Sequence, residues 1–274
     1  VYRSRLYHQH GFKTTPMVGN DDGRLMQNSS NDTMPNLDLK TKQKYGGSLI
    51  HCQRDEFGLI EVVDTPQIRS LFFGSPVEQS RLYFHAPMTL SFEYQQVIED
   101  QILAFHDKHP VKRVLMLGMG GGSIASHLNA LQPEMQIHIV ELRQAVIDIA
   151  YEYFHLPEVP EIEAMQEDAW DFIAEGLSQY DVIIVDVFDE EGLPNDFTEV
   201  KFQENLLKNL KSPGLVLFNL WNHKDKQIKQ QTDLIVKYWQ QQALSGLSNK
   251  QHHEIKVDSY PIHSSENIIL SFQV

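Results

Sequence analysis

The sequence predicts an α/β fold: a doubly wound, mostly parallel sheet with an antiparallel C-terminal edge strand, preceded by a small N-terminal antiparallel β-sheet. Three observations carry this. From Arg113 onward, short apolar runs alternate with helical patterns. The first of those runs leads straight into a glycine-rich turn, Gly118-Met119-Gly120-Gly121-Gly122, with a helix behind it. Between Tyr45 and Phe73, strand-like runs follow one another with turn residues between them.

Residues 1–44 are polar, rich in Asn, Asp, Lys, Gly and Thr, and show no sustained period; they read as a flexible arm. A small β domain over residues 45–88 comes next. Its strands are Ser48–Cys52, Leu59–Val63 and Ile68–Phe73, with a turn at Asp55-Glu56-Phe57-Gly58, and Gly74-Ser75-Pro76 closes the sheet. A larger α/β domain spans residues 89–274. It opens with a helix over residues 89–106, where Phe92, Val97, Ile98, Ile102 and Phe105 are apolar among acidic residues; His109-Pro110 stops it.

The alternation then runs as follows. Arg113–Leu117 is a strand apolar on both faces, as burial between helices requires. A helix through Ile124, Leu128 and Leu131 leads to strand Ile137–Val140, then to a helix over 145–153. Strand Ile162–Met165, a helix over 169–174 and strand Asp181–Val185 continue the pattern. Leu215–Leu220 is the fifth strand, and a helix over 225–243 follows. The last two strands, Glu254–Val257 and Asn267–Phe272, are joined by a link short enough for a hairpin, which makes the edge antiparallel.

The formal net charge of -14 disfavours nucleic acid as a partner, because an acidic surface repels phosphate backbones. It suits a cationic substrate, and it is also an ordinary source of solubility. The single cysteine, Cys52, rules out an internal disulfide and a cysteine metal cluster; in its strand it reads as a buried, inert thiol. No apolar stretch reaches membrane-spanning length, and the N-terminus lacks the apolar core of a signal peptide, so a cytoplasmic location is expected, with no membrane partner.

In a doubly wound sheet, ligands bind at the carboxyl ends of the strands. The glycine turn lets backbone approach a ligand and points helix N–H groups at it. Its spacing is G-x-G-x-G, with Ser123 where a dinucleotide fingerprint needs glycine, which favours a nucleoside without a pyrophosphate. Glu141 ends the second strand, about 20 positions after the first glycine, where a carboxylate takes ribose hydroxyls; the rival is a surface carboxylate paired with Arg143. Asp168 can accept from an adenine amine, cap the helix that follows, or do both. After the fourth strand, Asp186-Val187-Phe188-Asp189-Glu190-Glu191 crowds carboxylates beside the turn, a cost that a cationic amine would offset; no histidine in the run supports a metal. His127 and His138 lack ligand spacing, and Tyr83, His85 and Met88 read as packing between the domains.

With these residues the chain resembles the spermidine synthase (polyamine aminopropyltransferase) family. The resemblance rests on Arg113–Gly118, Val140-Glu141, Glu167-Asp168-Ala169, Tyr180–Asp186, Ser212-Pro213-Gly214 and Glu78-Gln79-Ser80, and covers residues 45–220 in motif order. It implies a Rossmann-like sheet of the class I methyltransferase type, a site for decarboxylated S-adenosylmethionine, an acidic slot for a diamine such as putrescine, and a homodimer. In that frame Asp186 accepts the proton, and Asp189 and Tyr94 face the amine. Gln79, Gly118, Gly120, Gly122, Glu141, Asp168 and Ala169 hold the nucleoside, and no metal is involved. Two departures stand out. Gly121 occupies the place of the Asp that in the family helps bind the aminopropyl end. The family's D-S-S-D-P stretch becomes Asp186-Val187-Phe188-Asp189-Glu190, as in a divergent, spermidine-synthase-like branch.

Two rivals stay open. An S-adenosylmethionine-dependent methyltransferase shares the fold, the glycine turn and the ribose carboxylate, and Gly121 favours it. Met116 opposes it, because methyltransferases often carry an acid two residues before the first glycine. A non-catalytic binding protein on the same fold is opposed by the retention of Glu141, Asp168, Asp186 and Asp189. A nicotinamide-dependent enzyme is opposed by Ser123.

Overall fold

Strands that lie between two helical layers must be apolar on both faces, and two segments meet that demand. All six residues of Tyr180–Val185 are buried, as are four of five in Arg113–Leu117. They form the centre of the main sheet. A computed structural model of the chain describes residues 43–176, 179–188, 192–222, 226–248 and 255–274.

Five strands form the N-terminal sheet: β1 (Gln43–Lys44), β2 (Gly47–Asp55), β3 (Gly58–Asp64), β4 (Ile68–Phe72) and β5 (Glu78–Tyr83), each antiparallel to the next. Gly74-Ser75-Pro76 is therefore the turn into β5 and not the end of the sheet. The sequence of β5, EQSRLY, carries only two inward positions, Ser80 and Leu82, so its alternation has little apolar content to detect. Cys52 lies on β2 and is half-buried.

The main sheet has the order β11-β12-β10-β9-β6-β7-β8. Its strands are β6 (Arg113–Leu117), β7 (Gln136–Glu141), β8 (Ile162–Gln166), β9 (Tyr180–Val185), β10 (Leu210–Trp221), β11 (Lys256–Pro261) and β12 (Asn267–Gln273). The helices are α1 (Glu93–His106), α2 (Ser123–Leu131), α3 (Gln144–Phe154), α4 (Ala169–Glu175), α5 (Val200–Asn209) and α6 (Lys226–Ser248). Pairing at the C-terminal edge is antiparallel, as expected; β12 is the reversed strand, one place in from the edge, and β11 lies outermost. No helix among the described residues is long and apolar enough to cross a membrane.

Helix α5 has no counterpart in the sequence expectation. Its inward face mixes Phe202 and Leu206 with Gln203, Asn205 and Asn209, all buried. The amides are satisfied internally: Gln203 donates to the Phe197 carbonyl at 2.7 Å, and Asn209 donates to the carbonyls of Ile173 and Asn205, each at 2.9 Å. Polar residues that bond locally in this way break an apolar period without costing burial.

Each face of the main sheet has its own core. On one, Met116, Ile139 and Ile184 pack with α1, α2 and α3 and with Ile60, Val62, Leu71 and Leu82 of the N-terminal sheet. On the other, Leu115, Ile183 and Phe218 pack with Phe202, Ile235 and Trp239. The two sheets are also tied by polar contacts. The Arg143 guanidinium, at the start of α3, grips Asp55 through bonds of 2.9 and 2.8 Å, donates to the Gly58 carbonyl at 3.1 Å and lies over the Phe73 ring. Arg69 reaches from β4 to the Tyr153 carbonyl at 2.9 Å.

The Arg143 side chain is 2% exposed and its partner Asp55 22%, so removing the arginine strands a carboxylate that keeps some solvent. Arg143→Met is expected to lower unfolding free energy by about 2 kcal/mol, short of the cost of breaking a fully buried pair. Urea denaturation measures it; an unchanged midpoint would mean that the tie contributes nothing.

Candidate functional site

The main sheet reverses its winding between β6 and β9, the switch point where ligands sit in such sheets. Two hydrogen bonds set the strand tips there: Asp186 N–H to the Leu117 carbonyl at 2.9 Å, and Gly118 N–H to the Val140 carbonyl at 2.8 Å. Gly118 has φ +85°, and a Cβ on it would lie 2.2 Å from the Asp186 carbonyl oxygen. Only glycine permits that approach. The turn is braced from below by β5: the Gly121 amide donates to the Ser80 hydroxyl at 2.7 Å, and Gly120 lies against Ser80 and the backbone of Gln79. Gly122, at φ +75°, then caps α2.

Gly121 differs from its neighbours. A Cβ there would stand 2.9 Å from the Phe154 ring and 3.0 Å from the Ser80 Cβ. The direction in which a side chain would leave this position is already filled.

Glu141 ends β7 and is nearly buried. Burial raises its carboxyl above the usual range, opposed by backbone hydrogen bonds from Arg143 and Met119. One carboxylate oxygen accepts from the Arg143 N–H at 3.0 Å, while the Arg143 guanidinium is committed to Asp55. A surface ion pair with that guanidinium is therefore not what Glu141 makes. Asp168 caps α4 by accepting from the Trp170 N–H at 2.7 Å, and Ala169 beside it is fully buried.

Asp186 follows β9 at the floor of the crevice. Its carboxyl is partly accessible, yet so enclosed by protein that desolvation lifts it to about 6, with the Asn219 amide pulling the other way. Asn219 donates to it at 2.8 Å. Tyr94, in the first turn of α1, faces the same carboxylate: burial raises its hydroxyl well above the ordinary tyrosine value, and the Asp186 charge adds to that. The Tyr94 ring stacks on Phe92, centroids 5.9 Å apart. Phe188 stacks on Trp221 at 5.9 Å, next to Gly192. Asp189 lies outside the described residues.

Of the residues singled out from sequence, Gly118, Gly120, Gly122, Gln79, Asp186 and Tyr94 thus meet around one crevice, and Glu141 and Asp168 stand at the neighbouring strand ends. Sequence reasoning gives no role to Ser80 or Asn219. Ser80 lies in the Glu78-Gln79-Ser80 motif, and Asn219 near the carboxyl end of a strand, which is the signal that could mark it. Among the described residues no group of His, Cys, Asp and Glu has the arrangement of a metal site. His127 is bonded to Glu99, and His138 to the Tyr180 hydroxyl at 3.0 Å, consistent with structural roles. Met88 borders a cavity of about 230 Å³ with Phe154, Ser126 and His127, away from Asp186.

A family model described as the spermine/spermidine synthase domain matches residues 91–240. A polyamine aminopropyltransferase of Neisseria meningitidis serogroup A is 30% identical over 167 residues, 61% of this chain and 63% of that protein. The chain thus spans less than two thirds of the length of that relative. An eEF1A lysine and N-terminal methyltransferase homolog of Drosophila melanogaster is 25% identical over 56% of this chain and 23% of its own length. Among solved structures, a probable spermidine synthase from Corynebacterium glutamicum superposes with a TM-score of 0.66 at 24% identity, covering 81% of this chain and 79% of that one.

Because the space beside Gly121 is taken by Phe154 and Ser80, Gly121→Asp is expected to destabilise the protein by about 2 kcal/mol through overpacking and carboxylate burial. For a chain of this size that lowers the thermal midpoint by about 5 °C. An unchanged midpoint would show that the turn has room for a side chain there.

Proposed function

The chain belongs to the spermine/spermidine synthase family, and from that premise we propose that it is a transferase that alkylates an amine with an S-adenosyl sulfonium donor. The donor proposed is decarboxylated S-adenosylmethionine, and the acceptor a diamine of the putrescine type. One observation carries the reading: a deeply enclosed carboxylate, Asp186, stands at the switch point against the glycine turn, with a neutral amide and a tyrosine as its neighbours.

The residues present suit the nucleoside. Glu141 lies at the strand end where a carboxylate receives ribose hydroxyls, and its guanidinium neighbour is turned away. Asp168 is already used as a helix cap through one oxygen, which leaves its second oxygen to accept from an adenine amine. The bare backbone of Gly118 and Gly120 admits the sulfur end closely.

Chemistry then follows from position. The acceptor nitrogen forms a bond to the carbon attached to the sulfonium sulfur, the carbon–sulfur bond breaks, and its electron pair stays on sulfur. A neutral thioether leaves, so no acid is needed on that side. The acceptor is an ammonium at neutral pH, with a pKa of about 10, and must lose a proton to attack. Asp186 orients the nitrogen and takes that proton; Tyr94, held un-ionised, walls the slot. Holding the two reactants in line supplies most of the remaining acceleration.

Methyl transfer is the second reading, and Gly121 favours it. With no carboxylate at that position and no room for one, the usual hold on an aminopropyl ammonium is missing. Similarity to the methyltransferase homolog points the same way.

Two measurements follow. Because the Asp186 carboxyl sits at about 6, it is a carboxylate above that pH and protonated below it. The kcat/KM for transfer is expected to fall as pH drops through about 6; Asp186→Asn is expected to cut kcat by about 10²–10⁴-fold and erase that limb, with nucleoside affinity little changed. Full activity in Asp186→Asn would remove it from the mechanism. Titration calorimetry against decarboxylated and intact S-adenosylmethionine separates the two readings: tighter binding of the decarboxylated form supports aminopropyl transfer, and preference for the intact form supports methyl transfer.

A further inference from the structure

Behind Asp186 runs a chain of side-chain hydrogen bonds. The Ser265 hydroxyl bonds to the Asn267 side-chain oxygen at 2.7 Å, the Asn267 amide nitrogen donates to the Asn219 oxygen at 2.9 Å, and the Asn219 amide nitrogen donates to an Asp186 oxygen at 2.8 Å. The direction of every bond is dictated by its end. A carboxylate only accepts, so Asn219 must turn its NH₂ to Asp186 and its carbonyl oxygen to β12. Asn267 must then turn its own NH₂ to Asn219, and Ser265 completes the series as a donor. All donors point at the carboxylate, and aligned hydrogen bonds polarise one another toward that end.

The placement is built into the sheet. β9 and β10 are in register at Val185 and Phe218, so Asp186 and Asn219 are the next pair outward. Asn219 is 1% exposed, and a buried amide there is costly unless both of its ends are used. The loop that carries Ser265 is fastened a second time: the Glu93 carboxylate accepts the N–H groups of His263 and Ser264, at 3.2 and 2.8 Å. Glu93 precedes Tyr94 directly, so one loop anchors the residues on both sides of the slot.

We propose that Asn219, backed by Asn267 and Ser265, is a positioning residue: it holds one oxygen of Asp186 and keeps that side chain an ionised acceptor whose other oxygen faces the incoming amine. This rests on the reading of Asp186 as the proton acceptor. Among the described groups that meet Asp186, Tyr94 on α1 is titratable and stays neutral, Asn219 on β10 is uncharged, and β6 offers only the Gly118 backbone.

The test is the titration of Asp186 itself, followed by carbon NMR in protein labelled with ¹³C at aspartate carboxyls and read without substrates. Loss of a signal in Asp186→Asn identifies the resonance. Without the donor from Asn219 the charged form loses its hydrogen bond, so Asn219→Leu is expected to raise the midpoint by about one pH unit. The acid limb of the pH–rate profile is expected to move up with it. Asn267→Ala, at a half-exposed position that tolerates truncation, is expected to raise the midpoint by less, and it carries the test if Asn219→Leu does not fold. An unchanged midpoint in a folded Asn219→Leu protein, or in Asn267→Ala when it stands alone, overturns the proposal. A raised midpoint in a protein with no transferase activity leaves the hydrogen-bonded chain standing and overturns the transfer reading instead.

Discussion

The contact between the backbone of Gly118 and the backbone of Asp186 is the constraint on which the site depends. With only 2.2 Å between a hypothetical Cβ and the Asp186 carbonyl oxygen, β6 and β9 can leave the sheet side by side only if residue 118 has no side chain. Given that contact, the turn folds over the strand tips, Asp186 emerges beside it, and α2 starts with its free N–H groups toward the crevice. The N-terminal sheet closes the arrangement from beneath, through Ser80 on the Gly121 amide. Arg143 and Arg69 attach that sheet to the α3 region.

Strand β9 carries a carboxylate at each end, and the contrast between them separates structure from chemistry. At Asp181 burial works against the charge, but Lys211 at 2.8 Å and the amides of Lys112 and Arg113 overcome it and hold the carboxyl below its usual range. At Asp186 a deeper enclosure meets only one neutral amide, and the carboxyl rises to about 6. Glu141 is likewise raised by burial, which the backbone N–H groups of Arg143 and Met119 and the nearby Arg143 charge only partly offset. Two enclosed carboxylates that no ion pair neutralises fully are arranged for a ligand that brings hydroxyls to Glu141 and an ammonium to Asp186.

The strands and helices around the glycine turn were legible because each obeys one simple period: β6 and β9 are unbroken apolar runs, and the glycines stand where backbone must approach backbone. Elements whose buried side chains are polar were not. Helix α5 hides its period behind Gln203, Asn205 and Asn209: Gln203 and Asn209 donate to carbonyls, Gln203 also accepts from the Trp239 indole, and Asn205 accepts from Lys208. Strand β5 hides its own behind the Glu78–Arg81 pair. The carboxylates of the site were readable as residues at strand ends. Their partners were not: Asn219 comes from β10 and Asn267 from β12, and pairing across strands leaves no trace in spacing along the chain. The space filled by Phe154 at Gly121 was equally invisible, since those residues are far apart in sequence.

The identity of the small product tests the central claim most directly. The protein incubated with decarboxylated S-adenosylmethionine and putrescine, with products read by mass spectrometry, should release methylthioadenosine and an aminopropylated amine at equal rates. Formation of S-adenosylhomocysteine from intact S-adenosylmethionine, with no methylthioadenosine from the decarboxylated form, would contradict it.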